Sequence, residues 1–258
     1  MIKYFFSKKY WLSIMLLTQA SISRQNKDSF LGSLWGLIQP FVHIIIISFF
    51  FGFLLKLPRE TMVVNLVGAI PLWTFIVTSL NISSNSLTSR SGIIKKIIIS
   101  RTIFPISDSL VQVYNLIYSF GAMYVAFIIL YPERFSINIL FVPILVFPLI
   151  ISVCSSSIAF AFLTPYIRDV PQMLNLILSV VYWTIPIVYP YSMVPESKRI
   201  FFEINPVFLV IRPVQFLITE GVLPDTLMII KSVIVAVVCA FFSYLGYRFF
   251  AKNVIYYI

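Results

Sequence analysis

Side chains capable of chemistry are few and scattered in this sequence. His43 is the only histidine, and Cys154 and Cys239 are the only cysteines. No cluster of His, Cys, Asp and Glu has the spacing of metal ligands, so we expect no metal site. None of the eight glycines is followed by lysine, so the chain cannot bind ATP through a P-loop. The sequence therefore predicts a protein without a catalytic cluster or a nucleotide site of its own.

Two ionisable residues lie in or beside apolar stretches. His43 is a functional candidate, because ionisable residues inside a membrane are costly and usually functional. The alternative, which we favour, is a hydrogen bond from His43 to a neighbouring helix. Asp108 follows Ser107 in what we predict is the first turn of a helix, where the helix dipole stabilises a carboxylate without any catalytic role.

Aromatic residues are unusually abundant, at 17% of the chain. Most of them are expected to face lipid or to form the belts at the membrane surfaces. Five lie near the ends of predicted spans beside polar residues: Trp73, Tyr182, Trp183, Tyr189 and Tyr191. Aromatic ring faces pack well on sugar rings, so these five are candidates to contact a sugar. The alternative interpretation, that they are belt or packing residues, stays open.

The composition identifies a membrane protein. Hydrophobic residues make up 60% of the 258 residues and charged residues only 11%, whereas soluble domains carry roughly 25% charged residues. These values exclude a water-soluble globular fold, and also a disordered chain, which needs low hydrophobicity. The net charge of +10 is better explained by membrane topology and anionic lipid than by nucleic acid.

Uncharged apolar stretches predict six transmembrane helices in a single all-α, polytopic domain. Each span needs roughly 20 mostly apolar residues. The predicted spans are 37–55, 62–82, 107–130, 139–163, 172–190 and 227–249. Lysine and arginine are more numerous on the side that holds the N-terminus, which the positive-inside rule assigns to the cytoplasm. Six spans then return the C-terminus to the same side.

Three further segments are predicted outside these spans. Residues 8–24 mix apolar and polar residues between flanking lysines and Arg24, which is typical of an amphipathic helix in the inner interface. A simple tail before the first span is the alternative. Residues 191–226 contain several prolines and short apolar pieces, which indicate short helices that enter the membrane from outside without crossing it.

The inner segment 84–104 carries only basic charges. Its isoleucines recur at helical spacing at Ile93, Ile94, Ile97 and Ile98. This pattern predicts a short helix with one face on protein and its cations toward solvent, phosphate or an acidic partner. Alternatively, the cations only enforce the topology.

Several short motifs follow one another in a specific order. They are Leu31-Gly32-Ser33-Leu34-Trp35-Gly36 with Pro40, Ile93-Ile94-Lys95-Lys96 with Arg101 and Pro105, Tyr166-Ile167-Arg168-Asp169-Val170, Pro186-Ile187-Val188-Tyr189-Pro190, and Asn205-Pro206 with Arg212. Over nearly the whole chain this order resembles the membrane subunit (permease) of ATP-binding-cassette polysaccharide exporters. That family moves lipid-linked O-antigen, capsule or teichoic acid chains across the bacterial plasma membrane.

The resemblance implies a homodimer that binds two ATPase subunits and encloses a channel. The five aromatic residues named above would line this channel. ATP and Mg²⁺ are then bound by the ATPase, and this chain holds no cofactor. The substrate is a glycan linked to lipid pyrophosphate, and no nucleic acid is involved. The implied roles are ATPase coupling for Arg90, Ile93, Ile94, Lys95, Lys96 and Arg101, an inner-face loop of Leu31, Gly32, Arg168 and Asp169, and an external gate with Asn205, Pro206 and Arg212.

Three other functions are weighed against this one. A related permease could export a drug or another lipid. A membrane-embedded lipid or glycosyl transferase would need acidic or histidine clusters, whereas the nine acidic residues are scattered. A secondary carrier is disfavoured, because the sequence has neither an inverted repeat nor charges near the middle of its spans.

Overall fold

The computed structural model describes residues 8–27, 31–96 and 99–258, and within these ranges it contains helices and no β-strand. The α-helices are α1 Lys8–Lys27, α2 Trp35–Leu55, α3 Arg59–Ser84, α4 Ser91–Ile94, α5 Ile103–Leu130, α6 Val142–Leu163, α7 Val170–Thr184, α8 Arg199–Glu203, α9 Pro206–Glu220 and α10 Thr226–Phe250. Short 3₁₀ turns connect several of them. The all-α, polytopic fold predicted from the sequence is confirmed.

Five of the described helices are long and apolar enough to cross a membrane: α2, α3, α5, α6 with the turn before it, and α10. The predicted spans 37–55, 62–82, 107–130, 139–163 and 227–249 lie within them. The segment Glu196–Glu203 and α9 are apolar enough together, but they are bent by 111° at a short break. This geometry fits either a broken span or a re-entrant loop. The short helices predicted within 191–226 are present as α8 and α9.

Helix α7 is shorter than the sequence prediction of 172–190. It ends at Thr184, and Ile185 has an extended backbone. The reason is Pro186, because the residue before a proline is driven out of the helical conformation. At about 1.5 Å per residue, fifteen helical residues measure about 22 Å, which is less than the roughly 30 Å of a bilayer core. Residues 185–190 continue from α7 without helical hydrogen bonds.

Helix α3 is the centre of the fold. Of its apolar window 78% is buried, against 22–39% for the other four spanning helices. It contacts α2, α5, α6, α7 and α9. Apolar residues occur all round α3, as expected for a helix that is covered on every side. The other spanning helices leave large apolar faces uncovered, which suits contact with lipid or with another chain.

Gly68 lets α3 and α9 approach closely. A Cβ atom placed on Gly68 would lie 3.2 Å from the Cα of Gln215 and 3.3 Å from the Cβ of Ile218. Small residues permit such close backbone contact at helix interfaces in membranes. The position of α9 therefore depends on the absence of a side chain at residue 68.

The amphipathic N-terminal helix is present as α1. Tyr10 and Ile14 are buried and pack against Ile103 at the start of α5. The hydroxyls of Tyr10 and Thr102 share a hydrogen bond of 2.9 Å. Trp11, Leu12, Met15 and Leu16 are exposed on the outer side of the helix. An apolar face directed away from the protein suits the membrane interface, where the sequence predicts this helix to lie.

We predict that Gly68→Ala destabilises the protein, because the new methyl group meets the backbone of α9. A cost of about 1–3 kcal/mol is expected for overpacking of this kind. Gly121→Ala in α5 is the matched control, since nothing lies within 4 Å of its added Cβ. The apparent melting temperature of the detergent-solubilised protein should fall for the first variant only. Equal melting temperatures would contradict a tight crossing at Gly68.

Candidate channel and coupling sites

A stripe of uncharged polar side chains runs along one face of α7. Gln172, Asn175 and Ser179 are exposed at positions i, i+3 and i+7. Leu174 and Leu178 are buried on a different face, and α7 packs mainly against α3. Polar side chains on a membrane helix normally face another helix or a water-filled cavity rather than lipid. The stripe therefore marks a surface that water, substrate or another chain must cover.

The sequence analysis missed this stripe, although its spacing is visible in the sequence. Aromatic residues and charges are the sequence signals that predict a channel lining. An uncharged stripe of amides and a hydroxyl gives neither signal.

Three of the five candidate aromatic residues come together beside the stripe. The rings of Trp73 and Tyr182 lie 5.4 Å apart, and those of Tyr182 and Trp183 lie 5.2 Å apart. Trp73 lies in the middle of α3, not near its end, and is only 8% exposed. It therefore supports the other two rings rather than lining an open surface. Trp183 is exposed and is also close to Phe51 of α2.

The other two candidates lie apart from this cluster. Tyr189 is half-buried against the main core, in the extended segment after α7. Tyr191 begins the following 3₁₀ turn, and its ring stacks on Phe208 of α9 at 5.3 Å. The five aromatic residues thus do not form one continuous surface within a single chain.

A second uncharged polar surface lies between α2, α3 and α5. It is a cleft of about 270 Å³ that contains no charged side chain among its described lining residues. Its polar lining consists of Gln25, Gln39, Thr74, Thr78, Gln112, Asn115 and Ser119, and Trp35 lies at its edge. Thr74 and Thr78 are one turn apart on α3, so helical periodicity could have found this cleft as well.

His43 is exposed on α2, one helical turn after Gln39. The hydrogen bond to a neighbouring helix that we favoured is not formed by His43 within the part of the chain that the structure describes. Its side chain belongs instead to the same exposed face of α2 as Gln39. Across the described residues, no group of three or more His, Cys, Asp and Glu side chains could hold a metal ion.

We call the inner segment 84–104 the coupling segment, after its predicted role. Between the end of α3 and the start of α5, its described residues contain a single helical turn, α4. Ile94 is buried with Leu87 and Phe104, while Ile93 is about half exposed. Lys95 and Lys96 follow on the surface. Ile97 and Ile98 lie outside the described residues. The predicted pattern of one face on protein and cations toward solvent therefore fits these four residues, from Ile93 to Lys96.

Arg90 differs from the expected role of a free cation. Its two terminal nitrogens donate to the two carboxylate oxygens of Asp108, each at 2.7 Å. Asp108 is 4% exposed and lies in the second turn of α5, not in the first as the sequence suggested. A bidentate pair of this kind fixes orientation as well as charge. It ties the coupling segment to α5.

Arg101 also binds within the chain. Its guanidinium donates to the carbonyl of Ala251 at 3.0 Å, just after the last turn of α10. Basic side chains commonly stabilise such free carbonyls at helix C-termini. Of the four basic residues in the segment, Lys95 and Lys96 are the exposed pair.

The inner-face loop residues lie at two helix junctions. Gly32 has a φ of 47°, which only glycine adopts without strain, and it begins the turn that leads into α2. Leu31 beside it is half-buried. Arg168 and Asp169 are exposed between α6 and α7. Gly32 is buried at its junction, whereas Arg168 and Asp169 form a surface loop, and none of these four residues lines the cleft between α2, α3 and α5.

At the opposite end of the bundle, two buried amides close the break after α7. Asn65 of α3 donates to the carbonyl of Ile187 at 2.7 Å. Gln215 of α9 donates to Asn65 Oδ1 at 3.0 Å and to the carbonyl of Pro186 at 2.9 Å. These four residues form what we call the amide cluster. Sequence reasoning missed it, because nothing in the local pattern indicates that residues 65 and 215 meet.

The three predicted gate residues all belong to α9. Asn205 caps its N-terminus, with the side chain accepting from the backbone N–H of Val207 at 3.0 Å, and Pro206 occupies the first turn. Arg212 is half-buried, and its Nη1 donates to Gln215 Oε1 at 3.3 Å. Asn205 and Pro206 therefore define the start of α9, whereas Arg212 extends the amide cluster toward the surface.

The chain is similar in sequence to known proteins over most of its length. The chain is 25% identical to an O-antigen export system permease protein RfbA of Klebsiella pneumoniae over 92% of its length and 93% of the relative's. A second protein of that name and species is 24% identical with the same coverage. A protein named O-antigen export system permease protein RfbA in Myxococcus xanthus is 20% identical over 87% of each chain.

The family itself is established by a match over most of the chain. Residues 13–218 match the ABC-2 type transporter family, from within α1 to near the end of α9. The resemblance drawn from the motif order is thereby confirmed. Together with the membrane-spanning helices, this match shows that the chain is an integral membrane protein and a member of the ABC-2 type transporter family.

Proposed function

We propose that this chain is the transmembrane subunit of an exporter that moves a lipid-linked glycan out of the cytoplasm across a bacterial inner membrane. Two copies would enclose the channel, and two ATPase subunits would drive it. The observation that best supports this proposal is the exposed, uncharged polar stripe of Gln172, Asn175 and Ser179 on α7. The relatives named as O-antigen export permeases support the same substrate class.

The chemistry of the stripe suits a neutral, hydroxyl-rich polymer. Amides and hydroxyls both donate and accept hydrogen bonds, as sugar hydroxyls do. Each such bond contributes only about 0.5–1.5 kcal/mol net, because it replaces a bond to water. A chain of sugars can therefore exchange one set of bonds for the next without a deep binding minimum. The exposed ring of Trp183 adds an apolar surface for sugar ring faces.

The cleft between α2, α3 and α5 offers the same chemistry near the coupling end of the bundle. Gln25 at the end of α1 and Trp35 at the start of α2 both line it. We assign it the role of an entry surface for the first sugars, since it is polar, uncharged and bordered by an aromatic ring. With the coupling end of the bundle facing the cytoplasm, both termini would also lie in the cytoplasm.

The ATPase would act on this chain by binding and displacing the coupling segment. Ile93, Lys95 and Lys96 form its exposed part and are available to an ATPase surface. Arg90 acts differently: its buried pair with Asp108 would transmit a displacement of this segment to α5. ATP and Mg²⁺ would be held by the ATPase, and this chain would contribute no nucleotide ligand.

We predict that the double substitution Asn175→Leu and Ser179→Leu reduces export by roughly 10-fold, because it removes two hydrogen-bonding groups from the channel wall. Surface display of the glycan measures export, and co-purification with the ATPase measures assembly. Ile177→Leu is the control, an exposed residue of α7 that lies off the stripe. Normal export by an assembled double variant would contradict a channel along this face.

We predict that Arg90→Lys separates ATP hydrolysis from export. Lysine keeps the charge but loses the bidentate geometry, so the displacement would reach α5 only weakly. The ratio of glycan exported to ATP hydrolysed should fall several-fold in the reconstituted complex. Asp108→Asn leaves the partly exposed Arg90 without its charged partner, and about 1.5–3 kcal/mol of stability is expected to be lost with the charged hydrogen bonds.

Lys95→Gln is the control for this experiment, because Lys95 makes no ion pair within the described part of the chain. It should alter ATPase affinity without changing the ratio. An unchanged ratio in Arg90→Lys would show that the pair is only structural.

A further inference from the structure

A polar cleft of about 330 Å³ lies at the end of the bundle opposite the coupling segment. Thr61 at the start of α3 lines it, whereas Arg90 and the coupling segment follow the end of α3. The 26 residues of α3 measure about 39 Å, enough to separate the two sites by a bilayer core. In the proposed orientation, which is the only point taken from the proposed function, the cleft opens on the outer face.

Three arginines from separate segments converge on this cleft. Arg134 follows α5, Arg199 begins α8 and Arg212 lies within α9. Glu220 is the one carboxylate among the described lining residues, so the lining carries an excess of positive charge. In a membrane protein with only 11% charged residues, this density of arginine is not explained by solubility.

The carboxylates near the cleft leave much of this charge available. Glu60 pairs with Arg134, and Glu196 lies 3.6 Å from Arg199 but is almost fully exposed. Exposed pairs of this kind are weak and easily exchanged for a stronger ligand. Arg212 forms no ion pair with any carboxylate of the described residues.

Arg212 is instead held in place by aromatic rings. Its guanidinium lies 4.8 Å from the ring centre of Tyr191 and 5.3 Å from that of Phe216. Stacking uses the flat faces of the guanidinium and leaves its N–H edges for acceptors. One edge nitrogen donates to Gln215, and this is the one hydrogen bond that Arg212 makes as donor within the described chain. The side chain is therefore oriented before any ligand arrives.

We propose that this cleft binds the phosphate or diphosphate group of an amphiphile at the outer face. Guanidinium groups bind phosphate oxygens in a bidentate manner, and the hydroxyls of Thr61 and Ser192 supply further donors. Beside Arg199, α8 exposes Ile200 and Phe201, and Ile204 follows directly after the helix. An anionic group with an attached apolar chain would fit this arrangement of cations beside an exposed apolar surface.

The test measures binding directly and does not depend on export. The full-length protein in nanodiscs of phosphatidylcholine is titrated with inorganic pyrophosphate. In a second arm, nanodiscs with phosphatidic acid are compared with pure phosphatidylcholine by native mass spectrometry of retained lipid. Arg199→Gln and Arg212→Gln should each weaken binding of at least one probe by about 10-fold or more.

Lys198→Gln is the matched control, since Lys198 is exposed beside Arg199 but does not line the cleft. Melting temperatures identify a misfolded variant, and Arg199→Gln is the safer of the two because its carboxylate partner is exposed. Loss with phosphatidic acid supports the proposal and assigns the site to a lipid headgroup, whereas loss with pyrophosphate alone assigns it to a free anion and overturns the amphiphile. Unchanged binding in both arginine variants, or no binding by the unaltered protein, overturns the proposal even if export is normal.

Discussion

The half of the fold around the start of α3 depends on one constraint: a backbone carbonyl in an apolar surrounding needs a hydrogen-bond donor. Pro186 ends the helical path of α7, so the carbonyls of Pro186 and Ile187 lose their helical partners. The amides of Gln215 and Asn65 supply the missing donors, and they also bond to each other. One helix break therefore fixes the positions of α3 and α9, and Gly68 provides the space for their approach.

The two ends of α3 are fastened in chemically different ways. Neutral amides hold its beginning to α9, whereas beyond its end a buried ion pair holds Arg90 to α5. Between these points most of α3 is buried in apolar contacts, apart from positions such as Thr74 and Thr78, which line the polar cleft. Helix α3 is therefore the element shared by the coupling segment and the segment around Pro186.

Sequence reasoning predicted the parts that depend on length and hydrophobicity. Five of the six predicted spans match described helices, because the membrane thickness itself demands long apolar stretches. The end of α7 was missed, since a search for uncharged stretches ignores the effect of Pro186. Partners such as Arg90 with Asp108, and Asn65 with Gln215, could not be predicted, because periodicity identifies the face of a helix but not the residue it meets.

The exposed surface of α7 indicates that the proposed channel would need more than a single chain. Helix α7 packs mainly against α3, so most of its surface, polar stripe included, has no partner within the described chain. Its exposed apolar residues could face lipid. The amides of Gln172 and Asn175 could not, because lipid tails offer them no hydrogen-bond partner. A polar surface that a monomer cannot bury and that lipid cannot solvate requires water or a second protein surface. Two stripes facing each other across water would satisfy this requirement, and the proposed channel would then be a property of the assembly rather than of the fold.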